Sequence, residues 1–177
     1  MKDFMKGNTR IALALCLAVL GTAIEARADC QRVRGGIRET QIPAPNDPMG
    51  RTLSNVDGVL HGAGTSLVTR ANQAADGVLT ATSLDVFVTI QGDLLTATGV
   101  VKLTPIPGKP PGEFTENATL TVTGGSGKYA GATGTITLEG RAHNLFGPGV
   151  TTFNVIYEGS VCSPNVKDEE DDKNDRN

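Results

Sequence analysis

Apolar and polar side chains alternate one by one through most of the chain between Gly58 and Val161, the pattern of strands with one buried face. "SLDVFVTIQ" (Ser83–Gln91) groups Leu84, Val86, Val88 and Ile90 on one face, against Asp85, Phe87, Thr89 and Gln91 on the other. "LTATGVVKLT" (Leu95–Thr104) aligns Leu95, Ala97, Val101 and Leu103, and "ATLTVT" (Ala118–Thr123) alternates without a break. "TITLEGR" (Thr135–Arg141) sets Ile136 and Leu138 against Thr135, Thr137, Glu139 and Arg141, and "TTFNVIYEGSV" (Thr151–Val161) groups Phe153, Val155, Tyr157 and Val161. Shorter strands are predicted in "TSLVTR" (Thr65–Arg70) and "GVLTAT" (Gly77–Thr82). In each case the apolar face is expected to fill the interior.

Turn chemistry separates these runs. Asp76-Gly77 and "QGDL" (Gln91–Leu94) suit tight connections, and "PIPGKPPGEF" (Pro105–Phe114) is too rich in proline for a strand interior. Helical periodicity nowhere exceeds a turn or two. Seven or eight short strands at about ten-residue spacing predict a sandwich or a closed antiparallel barrel. Residues 29–57 are polar and interrupted by Pro43, Pro45 and Pro48. They read as an irregular arm holding at most one short strand, with the barrel domain over residues 58–166.

The two ends of the chain differ in kind. Residues 1–28 combine Lys2, Lys6 and Arg10 with the apolar run Ile11–Ile24 and a terminal "ARA", the composition of an export signal. That run is too short to span a hydrocarbon core as a helix, so no stable membrane anchor is expected. Residues 167–177, "KDEEDDKNDRN", lack apolar side chains and read as a disordered acidic tail. Loss of the leader would leave roughly 150 residues and place the protein in the periplasm or outside the cell. There Cys30 and Cys162, at opposite ends of the remaining chain, predict one disulfide. That pairing favours the barrel, in which first and last strands are neighbours.

Charge and composition remove several function classes. The net charge of −3 becomes more negative without the basic leader, and there is no tryptophan, so no nucleic-acid partner is expected. His61 and His143 show no ligand spacing with the cysteines, and no metal is expected. "LTVTGGSGKYAGATGTITLEG" (Leu120–Gly140) approaches a phosphate-binding loop. However, Val122 stands where the first glycine belongs and Tyr129 where the magnesium-binding hydroxyl belongs. A strand follows instead of a helix, so Gly124, Gly125, Gly127, Gly131 and Gly134 are assigned to backbone geometry, not to a nucleotide cofactor.

That same stretch, with "TTFNVIYEGSV" after it, resembles the C-terminal strands of the allene oxide cyclase-like barrels and of the related plant dirigent proteins, which carry a similar "GGTG" segment. A looser similarity runs back through "GAGTSLVTRANQAADG" (Gly62–Gly77). The resemblance implies an all-β fold: an eight-stranded antiparallel closed β-barrel of calycin-like shape with a central cavity. It also implies a possible homo-oligomer, a trimer in the plant members. The cyclases close an epoxide with a glutamate, a cysteine and an ordered water, and Ser66 falls where their cysteine would be. Dirigent proteins steer radical coupling with cavity acids and an arginine.

From the residues themselves, Glu139, Arg141, Asn154 and Glu158 alternate on the polar faces of two predicted neighbours. Turned inward they would build a polar cavity; turned outward they form solvated cross-strand pairs, as expected if the apolar faces fill the interior. Ser66, Glu139, Arg141 and Glu158 are thus the catalytic candidates, and no ligand-binding residue is singled out. The expected function is an exported barrel that binds a small apolar ligand without a catalytic constellation. Two alternatives stay open: a cofactor-free cyclase or isomerase acting on an epoxy fatty acid or similar molecule, and a purely structural or interaction barrel.

Overall fold

Eight strands run in sequence order, each antiparallel to the next, and the last returns to the first to close the barrel. They are β1 (Asp29–Ala44), β2 (Asp47–Val56), β3 (Gly62–Gln73), β4 (Leu79–Thr89), β5 (Leu94–Pro105), β6 (Phe114–Gly125), β7 (Thr133–His143) and β8 (Thr152–Ser163). The structure is a computed structural model and describes residues 29–44 and 47–165. The leader and the acidic tail read from the sequence lie outside the described residues. The expected all-β, eight-stranded antiparallel closed barrel is what forms.

The seam joins β1 to β8 from Asp29↔Ser163 to Thr40↔Thr152 and includes the pair Cys30↔Cys162. Those two cysteines form the predicted disulfide across 132 positions of sequence. Its presence agrees with an oxidising compartment.

Residues 29–57 correct the sequence reading, because they are two full strands and not an arm. β1 pairs with β8 along its first part and with β2 from Ile37 onward. The inward residues of this region explain why it reads as irregular. Val33 and Ile37 are buried, but Gly35, Glu39, Thr52 and Ser54 share their parity, so the apolar alternation is broken. Pro43 and Pro48 fall at the adjoining ends of β1 and β2, where a lost backbone donor costs little.

β4 is a second correction. "GVLTAT" and "SLDVFVTIQ" belong to one strand, and its apolar face points outward. Leu84, Val88 and Ile90 are exposed, whereas Ser83, Asp85, Phe87 and Thr89 are buried. The other long strands follow the prediction. Leu95, Ala97, Ala118, Leu120, Val122, Ile136, Leu138, Val155, Tyr157 and Val161 form the main core.

This core fills one end of the barrel. Two short 3₁₀ turns, Gly58–Leu60 and Gly127–Tyr129, fold Leu60 and Tyr129 into it as fully buried plugs. The Tyr157 hydroxyl donates to the Asp57 carbonyl at 2.9 Å and accepts from the Leu60 N–H at 2.9 Å, tying the first turn to β8. Gly35 makes room for that ring, since a Cβ there would lie 2.6 Å from the tyrosine hydroxyl. In the glycine segment, Gly127 and Gly131 adopt positive φ, and the Asp93 carboxylate accepts the Lys128 N–H at 3.1 Å. The Lys128 amide thus faces the protein's own carboxylate. Asp29 and Ser163 lie at this filled end, and the β1–β2, β3–β4, β5–β6 and β7–β8 connections lie at the other.

Candidate functional site

Beyond the core the barrel is hollow. A cavity of about 450 Å³ opens at the end carrying the hairpin connections. Its wall is mostly apolar, with Val68, Leu79, Val101, Leu103 and Phe153 among the lining residues and Leu145 and Phe146 at the rim. A smaller apolar cluster of Leu79, Leu103, Phe114, Ala142 and Leu145 frames this upper part. The volume lies within the range of small-molecule sites.

The inward parity that puts aliphatic residues into the wall also brings Glu39 and Glu116 to the cavity and buries Asp85 inside the barrel close to them. On β6, Glu116 alternates with Phe114, Ala118, Leu120 and Val122, all buried. On β4, Asp85 shares the face of Phe87, and on β1 half-buried Glu39 shares that of Val33 and Ile37. Asp85 is the best supported, because the Ser83 hydroxyl donates to Oδ2 at 2.7 Å and Ser66 adds a second hydroxyl. Gly99 of β5 leaves the space for this pair: a Cβ there would meet Ser83 Oγ at 2.2 Å and Asp85 Oδ2 at 3.0 Å.

Glu116 has no such support. Only 8% of its surface is exposed, and its Oε2 lacks a hydrogen-bond partner. Burial disfavours its charged form, and the nearby charges of Glu39 and Asp85 add to the effect, so its pKa is pushed up to about 8. Glu39 is also raised, mainly by desolvation, with Thr52 opposing and Asp85 reinforcing the shift. The Thr52 hydroxyl itself lacks an aligned hydrogen bond. Asp85 rises by burial against the pull of its serine hydroxyls. The result is a mostly apolar chamber with two acids in its lining and a third buried close to them, Glu116 being mostly protonated at neutral pH.

The sequence candidates divide between the two faces of the wall. Ser66 lines the cavity and serves Asp85. Glu139, Arg141 and Glu158 are exposed on the outer face, so the alternative that turned them inward is corrected. Glu158 pairs there with Arg32 on β1, whose hydrogen bond and charge hold its carboxyl below the usual range. His143 lies at the cavity end of β7, with its Nδ1 2.7 Å from Glu113 Oε2. Among the described residues no His, Cys, Asp or Glu group is arranged to hold a metal.

Glu39, Asp85 and Glu116 were not singled out from the sequence. Glu116 was within reach, because in "FTENATLTV" it shares the parity of every buried residue. Asp85 was hidden by the reversed face of β4, and Glu39 by the broken alternation of β1.

No family model and no curated protein matches this chain. Among solved structures, that of the pterocarpan synthase dirigent protein is similar, with 11% sequence identity over 81% of this chain and 88% of that chain and a TM-score of 0.32. The eight antiparallel strands close in sequence order into an up-and-down barrel. No residue role is carried across at that identity.

Proposed function

We propose that this protein is an exported small-molecule-binding barrel whose open half takes a largely apolar ligand bearing one polar group. The observation that carries the reading is a mostly apolar cavity of about 450 Å³ with the unpartnered Glu116 Oε2 among its lining groups. An apolar body would displace water from the lining, and the polar group would complete the hydrogen bonding of the carboxyl. The leader composition and the Cys30–Cys162 disulfide support export.

The neutral fluorophore N-phenyl-1-naphthylamine tests this reading. One molecule per barrel is expected to bind with a blue-shifted emission, and Ala81→Trp, which fills the cavity from β4, is expected to abolish it. No binding, or binding that survives the tryptophan, overturns the proposal.

The protonated state of Glu116 favours a second reading, a cofactor-free isomerase in which this carboxyl donates a proton to the oxygen of a bound epoxide as a ring C–O bond breaks. The resulting carboxylate takes a proton back from the carbon skeleton as the product forms. Turnover of an epoxy fatty acid above its spontaneous rate, lost in Glu116→Gln, is the expected result. A rate equal to the spontaneous one ends that reading and leaves the binding role intact.

A further inference from the structure

The polar group of the ligand can be specified further, on the basis of the binding reading above. Glu39, Asp85 and Glu116 reach the interior from β1, β4 and β6, three separate parts of the wall. Among the described residues no lysine, arginine or histidine lines the cavity. Lys102 on β5 and Arg141 on β7, the strands flanking Glu116, are exposed on the outer face, and Glu113 and His143 at the open end engage each other. Asp85 has its serine hydroxyls and Glu39 has Thr52 nearby, but Glu116, nine-tenths buried, keeps an oxygen without any donor.

A neutral donor would satisfy that one oxygen but leave Glu116 protonated, since burial and the neighbouring acids would still disfavour its charged form. A cation stabilises the ionised carboxyl by charge, with no hydrogen-bond donor required, and in a poorly solvated site the same charge acts on Glu39 and Asp85 as well. A metal ion would need several oxygens converging at about 2.0–2.6 Å, and the described residues offer no such cluster. A larger cation with its charge spread over carbon-bound groups needs no such convergence. Its apolar body also matches the wall formed by Leu79, Val101, Leu103 and Phe153.

We propose that the cavity binds an organic ammonium ion, its charged head against Glu116 with Glu39 and Asp85 behind, and its apolar body toward the mouth.

Benzyltrimethylammonium and its uncharged isostere neopentylbenzene separate charge from shape. Isothermal titration of the disulfide-bonded protein at pH 8 is expected to show the cation binding at least about tenfold more tightly. At pH 7, cation binding is expected to expel close to one proton from Glu116, whose pKa starts at about 8. Titrations in two buffers of different ionisation enthalpy read that release directly. Glu116→Gln, with its fold checked by circular dichroism, is expected to lose both the preference and the proton release.

Equal or tighter binding of neopentylbenzene overturns the cation assignment and leaves the apolar-ligand reading standing. Failure of both molecules to bind at millimolar concentration overturns both. Undiminished cation binding by folded Glu116→Gln also overturns the assignment. Should that variant not fold, the absence of proton release from the unmodified protein is decisive against it.

Discussion

Burial holds the Glu116 carboxyl protonated up to about pH 8, so folding and proton binding are linked through this one side chain. Between about pH 4.5 and pH 8 the native state keeps a proton that the unfolded chain releases. The contribution of Glu116 to stability is therefore fully present below 4.5, falls through that window and levels off above it. The fall amounts to at most roughly 1.4 kcal/mol per pH unit. Glu39 and Asp85 are displaced in the same direction and add to the trend. Urea denaturation at pH 5 and pH 8.5 should show the wild-type protein less stable at the higher pH and Glu116→Gln less affected. An equal or steeper loss in the variant contradicts this account of Glu116. The acids also mark where residue-by-residue reading fails. A carboxyl is scored as solvent-facing, yet Glu116 follows its strand's parity inward because the backbone fixes the direction and burial is met by protonation.

At the level of the strand, β4 shows that alternation fixes two faces without saying which is inside. Leu84 and Val88 are more apolar than Ser83 and Asp85, yet the latter pair is buried. The inner face is anchored by Phe87 within the main core and by the hydroxyl–carboxyl pairing above it. Substitutions should separate the faces. Leu84→Thr is expected to change stability by no more than about 0.5 kcal/mol, as a surface replacement, whereas Phe87→Ala should cost about 3–5 kcal/mol by opening a core cavity. Chemical denaturation of the two variants reads the difference, and comparable losses would contradict the assigned orientation. β5 to β8 were legible because their inner residues lie mostly in the filled end, where packing demands an uninterrupted apolar row. β1 and β2 were not, since part of their inner face borders the polar side of the chamber.

For the molecule as a whole, closure depends on strands from opposite ends of the sequence meeting at one seam. The Cys30–Cys162 bond spans that seam where the backbones already pair, so its main effect falls on the unfolded chain. Restricting a loop of this length is worth about 5 kcal/mol in the entropy model, and loss of a native disulfide from a small domain typically costs 2–5 kcal/mol. Reduction is expected to lower the denaturation midpoint by a corresponding amount without changing the far-ultraviolet spectrum. An unchanged midpoint would show that the bond does not limit the unfolded ensemble.

The same seam brings Asp29 and Ser163 together at the plugged end, away from the hairpin connections around the mouth. A bead, an electrode or a carrier protein coupled through either flank would therefore hold the barrel like a cup by its base. The rim loops could then be exchanged to alter what enters without disturbing the point of attachment.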